Sequence, residues 1–278
     1  MLTKIFTIAM FSFLICGSIA AQEHQLIKKW ETDSLLKVPE SVLFDAKNQV
    51  LYVANIDGKE PWAKDGKGSI GKVGIDGKIV NVDWVTGLNA PKGMGLYNNK
   101  LFVADIDQLV VIDIIKAAII QTIPIAGAQG LNDVTVDKNG VVYVSDSQIK
   151  KIYRVENGNA VLWLDNLQGP NGVLVFNNVL YLLDNGGLYK TEKEKTLTKI
   201  TDGMDGGTDG LENVTGNDFI VSCWSGSIWY VKADGSKIHL LDTREQKINS
   251  ADIGYDAAKK IVYVPTFWKN SIVAYQLK

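Results

Sequence analysis

Residues 130–147, GLNDVTVDKNGVVYVSDS, alternate apolar and polar positions through Val134, Thr135 and Val136. They then turn at Asp137-Lys138-Asn139-Gly140 and run apolar again from Val141 to Val144. This is the signature of a β-hairpin, with a polar entrance at Asn132-Asp133 and a polar exit at Ser145-Asp146-Ser147, both at the same end. The template recurs behind Pro39-Glu40-Ser41, Pro91-Lys92-Gly93, Pro170-Asn171-Gly172, Asp209-Gly210 and Ala251-Asp252. With Tyr52, Phe102, Tyr143, Tyr181, Ile220 and Tyr263 as anchors, the six copies follow one another at about 40 residues, the length of a four-stranded propeller blade. The first interval is longer because it carries an insertion at 59–69.

Two more strands follow each hairpin. In the first repeat they run 70–75 and 79–84 around Asp76-Gly77, in the third 151–155 and 160–164 around Asn157-Gly158, and in the fifth 227–232 and 237–241 around Asp234-Gly235. Asp-Gly and Asn-Gly suit the positive φ of a two-residue hairpin loop. The β-branched stretch 112–123 reads as two strands around Lys116-Ala117-Ala118 rather than as a helix. A lone strand at 24–30 precedes the first repeat, while the sixth repeat ends after three strands. The two ends complete each other, so the predicted fold is all-β: a six-bladed β-propeller with four-stranded blades, its ring closed by the N-terminal strand and left without a free edge.

Six repeats account for nearly all of the 278 residues, which favours one domain over 22–278. Residues 1–21 stand apart. Lys4, an apolar run from Ile5 to Ile15 and the small residues Ser18 to Ala21 have the layout of a cleavable signal peptide, too short to span a bilayer. A lipoprotein reading would use Cys16, but Ile15 stands where a small residue is needed. The expectation is export to the periplasm or the outside. Cleavage leaves Cys223 as the only cysteine, so no internal disulfide can form and the thiol is expected as a small buried filler. The net charge of −2 becomes about −3 without Lys4, with both signs interspersed. Nothing points to nucleic acid. A monomer acting on a small molecule is expected.

In a propeller the residues ahead of each inner strand converge at one mouth of the central channel. Alignment of the repeats puts Glu40, Lys92, Asn132, Asn171, Asp209 and Ala251 in that ring, with Asp133 and Asp252 one residue further in. Carboxylates and amide carbonyls without His or Cys form an all-oxygen set suited to a hard divalent cation. Turn and strand-entrance preferences explain each Asn and Asp singly. They do not explain Glu40.

Glu40, Leu131-Asn132-Asp133, Pro170-Asn171-Gly172 and Asp209-Gly210-Leu211, in order and at blade spacing, resemble the SMP-30/gluconolactonase (regucalcin-like) family from about Pro39 to the C-terminus. The resemblance implies one divalent metal at the channel mouth, Ca²⁺ before Mg²⁺, Mn²⁺ or Zn²⁺. Its ligands would be Glu40, Asn171 and Asp209, with Asn132 beside it to meet substrate and Asp209 also a candidate general base. The substrate implied is a lactone, with a sugar lactone the family's own case. Two departures fall on the substrate side: Ser41-Val42 follows Glu40 where the family usually has Gly-Pro, and Gly130 stands where sugar-lactonase members carry a substrate-binding arginine.

Loops between second and third strands should emerge over the same mouth, bringing Trp62, Trp224 and Trp268 to line it as substrate contacts. Tryptophans that cap the core between blades are the alternative for Trp224 and Trp268. Lys92, the one cation of the ring, either pairs with Glu40 or Asp252 across the channel, which is the expectation, or meets a substrate carboxylate. His24 and His239 fall on peripheral strands, facing solvent. Two functions follow: a metal-dependent lactonase-type hydrolase, or a non-catalytic propeller that binds a ligand or protein at the same face.

Overall fold

The computed structural model describes residues 24–278; the expected signal peptide at 1–21 lies outside them. Six four-stranded antiparallel sheets stand around a central axis, and in every sheet the strands pair in sequence order except for the first strand of the chain. The inner strands are Pro39–Asp45, Pro91–Tyr97, Leu131–Val136, Pro170–Phe176, Thr208–Thr215 and Gly254–Asp256, in blades 1 to 6. The first of them meets the entrance of the sixth through a parallel bridge between Ser41 and Asp252. Asp252 N donates to the Glu40 carbonyl at 2.9 Å, and Val42 N to the Asp252 carbonyl at 3.2 Å.

The sixth blade is completed as its missing strand predicts. Leu26–Glu31 pairs antiparallel with Ile272–Leu277, from Leu26 opposite Leu277 to Glu31 opposite Val273, so the outermost strand of the last blade comes from the start of the chain. Main-chain hydrogen bonds between Gln25 and Lys278 extend this seam in both directions.

The core lies between blades. Tyr52, Ile70, Met94, Val103 and Val110 pack blade 1 on blade 2, and the same layer repeats around the ring through clusters such as that of Leu183, Leu211, Phe219 and Cys223. Cys223 is fully buried with a free thiol, and burial pushes its pKa up to about 12, so it is the inert filler expected.

Stretch 112–123 divides into Gln108–Asp113 and Ala118–Pro124, as its β-branched content predicts. The turns divide into two kinds. Asn157 and Gly158 both take positive φ, 50° and 80°, and Glu156 pairs with Asn159 across a true two-residue loop. At the two Asp-Gly sites only the glycine does, with φ of 86° at Gly77 and 85° at Gly235. There the aspartate side chain accepts from the residue two further on, Lys78 N at 3.1 Å and Ser236 N at 2.9 Å. That bond closes a longer turn without strain at the aspartate.

Candidate active site

Five of the six predicted entrance residues converge on one cavity. Glu40, Lys92, Asn132, Asn171 and Asp209 line one cavity of about 250 Å³ together with Pro61, Trp62, Gly207, Trp224 and Phe267. Ala251 belongs instead to a buried apolar cluster with Ile56, Ala90, Ile106 and Phe267, against which Trp62 packs.

Close packing of inner strands fixes this geometry. A Cβ at Gly172 would stand 2.3 Å from the Asp209 carbonyl oxygen, and one at Gly210 would stand 2.4 Å from Ile253 N. Neither glycine is among those with positive φ, so glycine is needed because the next blade's backbone passes against it. A second device fastens the entrances of blades 2, 3 and 4 from behind. Asp105, Asp146 and Asp184, at the exits of their second strands, accept from the main-chain N–H groups of Asn89 and Ala90, Gln129 and Gly130, and Gln168 and Gly169 respectively. The polar exits Asp105, Asp146 and Asp184 are therefore structural, while five of the entrances line the cavity.

At the floor, Glu40 and Asp209 are 4% and 2% exposed. Asn171 Nδ2 donates to Asp209 Oδ1 at 3.0 Å. Glu40 Oε2 and Asn171 Oδ1 are buried without a hydrogen-bond partner. Burial pushes the Glu40 pKa up to about 8, opposed by Lys92 and assisted by Asp252. Asp209 is held well above the usual carboxylate range, first by burial and then by the charges of Glu40 and Asp252. Asn132 Nδ2 donates to Ser147 Oγ at 3.0 Å, and that hydroxyl donates to the Pro170 carbonyl at 2.7 Å, coupling the third entrance to the fourth.

Orphaned oxygens beside two buried carboxylates are the donor environment a hard cation completes. Among the described residues no group of three or more His, Cys, Asp or Glu side chains assembles at ligand spacing, so a cation here must draw on amide oxygen as well as carboxylate. The residues present fit such an ion through Glu40, Asn171 and Asp209.

Of the two partners expected for Lys92, Glu40 is the carboxylate whose charge acts on it most strongly, while its hydrogen bond goes elsewhere. Its Nζ donates to the Pro61 carbonyl at 2.8 Å and stands 4.4 Å from the centroid of the Trp62 ring. The carboxylates that act on it are Glu40, Asp209 and Asp105 rather than Asp252, and burial, the largest influence, draws its pKa down. The ammonium thus holds the 59–69 insertion over the cavity, which Lys64 also ties down through a salt bridge of 2.5 Å to Asp107.

Of the three predicted tryptophans, Trp62 and Trp224 line the cavity. Trp268 does not: it is 43% exposed and meets Phe267 edge-on at 4.7 Å on the outer side. Phe267, at the start of a short 3₁₀ turn with φ of 49°, lines the cavity in its place and meets Trp224 at 5.5 Å and 82°. Asp133 and Asp252 lie one layer deeper, along a second cavity in the channel with Thr135 and Glu212. Asp133 accepts from Val134 N at 2.7 Å and Val173 N at 2.6 Å, joining blades 3 and 4, and Asp252 accepts from Ser41 Oγ at 2.5 Å. His239 is exposed and stacks on Trp229. His24, expected to face solvent, is half-buried against Tyr230 at 3.9 Å.

Fold and site together define a six-bladed β-propeller with one polar, aromatic-rimmed cavity at its mouth. No protein-family model and no curated protein matches the chain. Among solved structures, a candidate gluconolactonase superposes with a TM-score of 0.70 at 11% identity, over 93% of this chain and 93% of that one. XC5397 from Xanthomonas campestris, described as a gluconolactonase important in glucose secondary metabolic pathways, gives 0.66 at 13% identity over 87% of each. A catalytically inactive histidine-to-alanine variant of virginiamycin B lyase from Staphylococcus aureus, with quinupristin, gives 0.64 at 13% identity over 92% of this chain and 99% of that one. At these identities the likeness is one of architecture. No helix among the described residues is long and apolar enough to cross a membrane.

Proposed function

We propose that the protein is a lactonase-type hydrolase that opens a lactone or related ester in this cavity, with one divalent cation, Ca²⁺ first among the candidates, held by Glu40, Asn171 and Asp209. The observation that carries the reading is the pair of buried, unpartnered oxygens, Glu40 Oε2 and Asn171 Oδ1, in the same cavity as buried Asp209. Gluconolactonases among the structural neighbours support it. A lyase related to the third neighbour is disfavoured, because that enzyme's inactive form lacks a histidine and no histidine lines this cavity.

When bound, the cation supplies Lewis-acid polarisation of the ester carbonyl. Asp209 accepts the proton of the attacking water, with Oδ1 held by Asn171 Nδ2. The ring C–O bond then breaks and the proton passes to the departing alkoxide, giving the hydroxy acid. Asn132, anchored on Ser147, lines the wall where the lactone would lie. Trp62 and Trp224 cover the mouth and limit bulk water. The layout of residues 1–21 supports export, which N-terminal sequencing of secreted protein would check.

The test is hydrolysis of a lactone panel with Ca²⁺, Mg²⁺, Mn²⁺ or Zn²⁺ added. Turnover that EDTA abolishes and added metal restores is expected, together with a melting temperature that rises with metal because only the folded chain binds it. No turnover above background with any metal would sink the reading.

A further inference from the structure

We propose that Arg244 is a positioning residue of the cavity: by clasping Asp205 it holds the entrance of blade 5, and with it the wall made by Gly207 and Trp224, at the mouth. The proposal concerns the control of that same site, and one of its readouts rests on the hydrolase reading.

The repeat shows why blade 5 needs such a device. Thr208 pairs with Cys223 where Pro91, Leu131 and Pro170 pair with Asp105, Asp146 and Asp184. In those three blades the aspartate accepts main-chain N–H groups of the segment leading into the inner strand. A thiol is a weak acceptor and does not replace the carboxylate. The segment leading into Thr208 and Asp209 is also poor in anchors of its own. Gly203 and Gly207 take φ of 69° and 78°, and a Cβ at Gly206 would meet nothing within 4 Å. Glycines at these positions leave the backbone free to move unless something outside the segment holds it.

Asp205, in the middle of the segment, supplies that hold. Its Oδ2 accepts from Ser227 Oγ at 2.5 Å and Trp229 Nε1 at 3.3 Å, and its Oδ1 accepts from Arg244 Nη1 at 2.5 Å. Arg244 is itself fixed, with Nε and Nη2 on the two oxygens of Asp242 at 2.8 and 2.5 Å. Asp242 ends the outer strand Lys237–Asp242. A lone exposed ion pair contributes little, but a guanidinium held by both oxygens of a strand-end carboxylate is already oriented for its second partner.

The clasp joins the two segments that hold Trp224. Trp224 N donates to the Gly207 carbonyl at 2.8 Å, and the Trp224 carbonyl accepts from Asn249 Nδ2 at 2.8 Å. One partner lies on the glycine-rich segment and the other on the loop that carries Arg244. Gly207 and Trp224 both line the cavity, and Asp209 follows Gly207 by two residues. The Arg244 side chain is 43% exposed, so salt screens the clasp and occupancy of the cavity falls as ionic strength rises.

Three measurements on the full mature chain test this. Amide hydrogen exchange at Met204 and Trp224, whose N–H groups bond the Gly186 and Gly207 carbonyls, should quicken about tenfold in Arg244→Ala and in Asp205→Asn, with the double variant no faster than either. About 0.5 M NaCl should bring the unaltered protein toward the variants and leave the variants as they are. Arg154→Ala, which breaks another surface pair, with Glu156 at 3.0 Å in blade 3, should change neither amide. For a lactone that the protein turns over, KM should rise about fivefold to tenfold in both clasp variants with kcat within about twofold, and Arg244→Lys, which keeps the charge without the fork, should recover part of the loss. Calorimetric titration with Ca²⁺ should show an affinity about threefold weaker in both clasp variants, since Asp209 follows the same segment and its support is lost. Unchanged exchange, or faster exchange with unchanged KM, would overturn the proposal. If no lactone is hydrolysed with any metal, the hydrolase reading falls and the Ca²⁺ titration decides: weaker binding in the clasp variants keeps the proposal, and equal or absent binding overturns it.

Discussion

At the scale of single residues, the cavity separates charge from geometry. Asp209 and Asn171 meet through one hydrogen bond, yet only Asp209 carries a charge that attracts a cation strongly and an oxygen that can accept a proton. Asp209→Asn keeps the shape and should cost about 10²-fold to 10⁴-fold in kcat even at saturating metal. Asn171→Ala removes a neutral oxygen that water can replace, so a loss of about tenfold in metal affinity should be recovered by excess metal. Equal, unrecoverable losses in kcat would make Asp209 only a ligand. Lys92 gives a second contrast, since its hydrogen bond to Pro61 and its contact with Trp62 hold the insertion. Lys92→Met should raise KM about tenfold by freeing Trp62 and change stability by no more than about 1 kcal/mol, because the lost hydrogen bond and the relieved burial of a charge oppose one another. A large fall in melting temperature with unchanged KM would show the lysine to be a fold element instead. Glu40, Lys92, Asn132, Asn171 and Asp209 were legible because the repeat aligns them, whatever their distance in sequence. Phe267 was not: a 3₁₀ turn with one residue at positive φ breaks the alternation, so the neighbouring Trp268 takes the outer side.

At the scale of elements, the inner strands set the ring, and their packing depends on side chains that are missing. The backbone of the fifth blade passes 2.3 Å from where a Gly172 Cβ would stand, whereas Gly206 has nothing within 4 Å of that point. Gly172→Ala should therefore destabilise the protein by about 1–3 kcal/mol through overpacking, with Gly206→Ala close to neutral. Denaturant titration of the two variants decides it, and a neutral Gly172→Ala would mean that the inner strands have room to part. Strands and turn positions were legible from alternation and from Asp-Gly and Asn-Gly pairs. The kind of turn was not, because an aspartate that accepts a main-chain bond two residues on removes the need for its own positive φ. The fastening role of Asp146 was hidden for a similar reason. Its exit position is visible in the repeat, but its partners Gln129 N and Gly130 N belong to the loop that leads into another strand of the same blade.

At the scale of the whole molecule, period and closure were written in the chain, since a last blade short of one strand needs the strand that precedes the first. The channel was not, because its lining comes from the middle of inner strands, where inward and interblade positions look alike in sequence. Glu212 faces that channel with Phe44, Leu96, Thr135, Leu174, Val175 and Asp252 around it. Burial, and after it the charge of Asp252, pushes its pKa up to about 8 from an ordinary 4.5. Below pH 4.5 both native and unfolded chains hold the proton, and the contribution to stability is complete. Between 4.5 and 8 the unfolded chain releases the proton while the native chain retains it, so stability declines as pH rises, by at most about 1.4 kcal/mol per pH unit. Glu212 is half-buried and reaches the channel lumen, whose water reduces that slope to a fraction. Asp133 and Asp252 have raised pKa values as well and add slopes of the same sign, so the difference between variants isolates Glu212. Glu212→Gln should leave the melting temperature nearly unchanged at pH 4.5 and raise it by several degrees at pH 8. Melting curves of both proteins across that range are the measurement, and a shift independent of pH would show that Glu212 is already ionised in the folded channel.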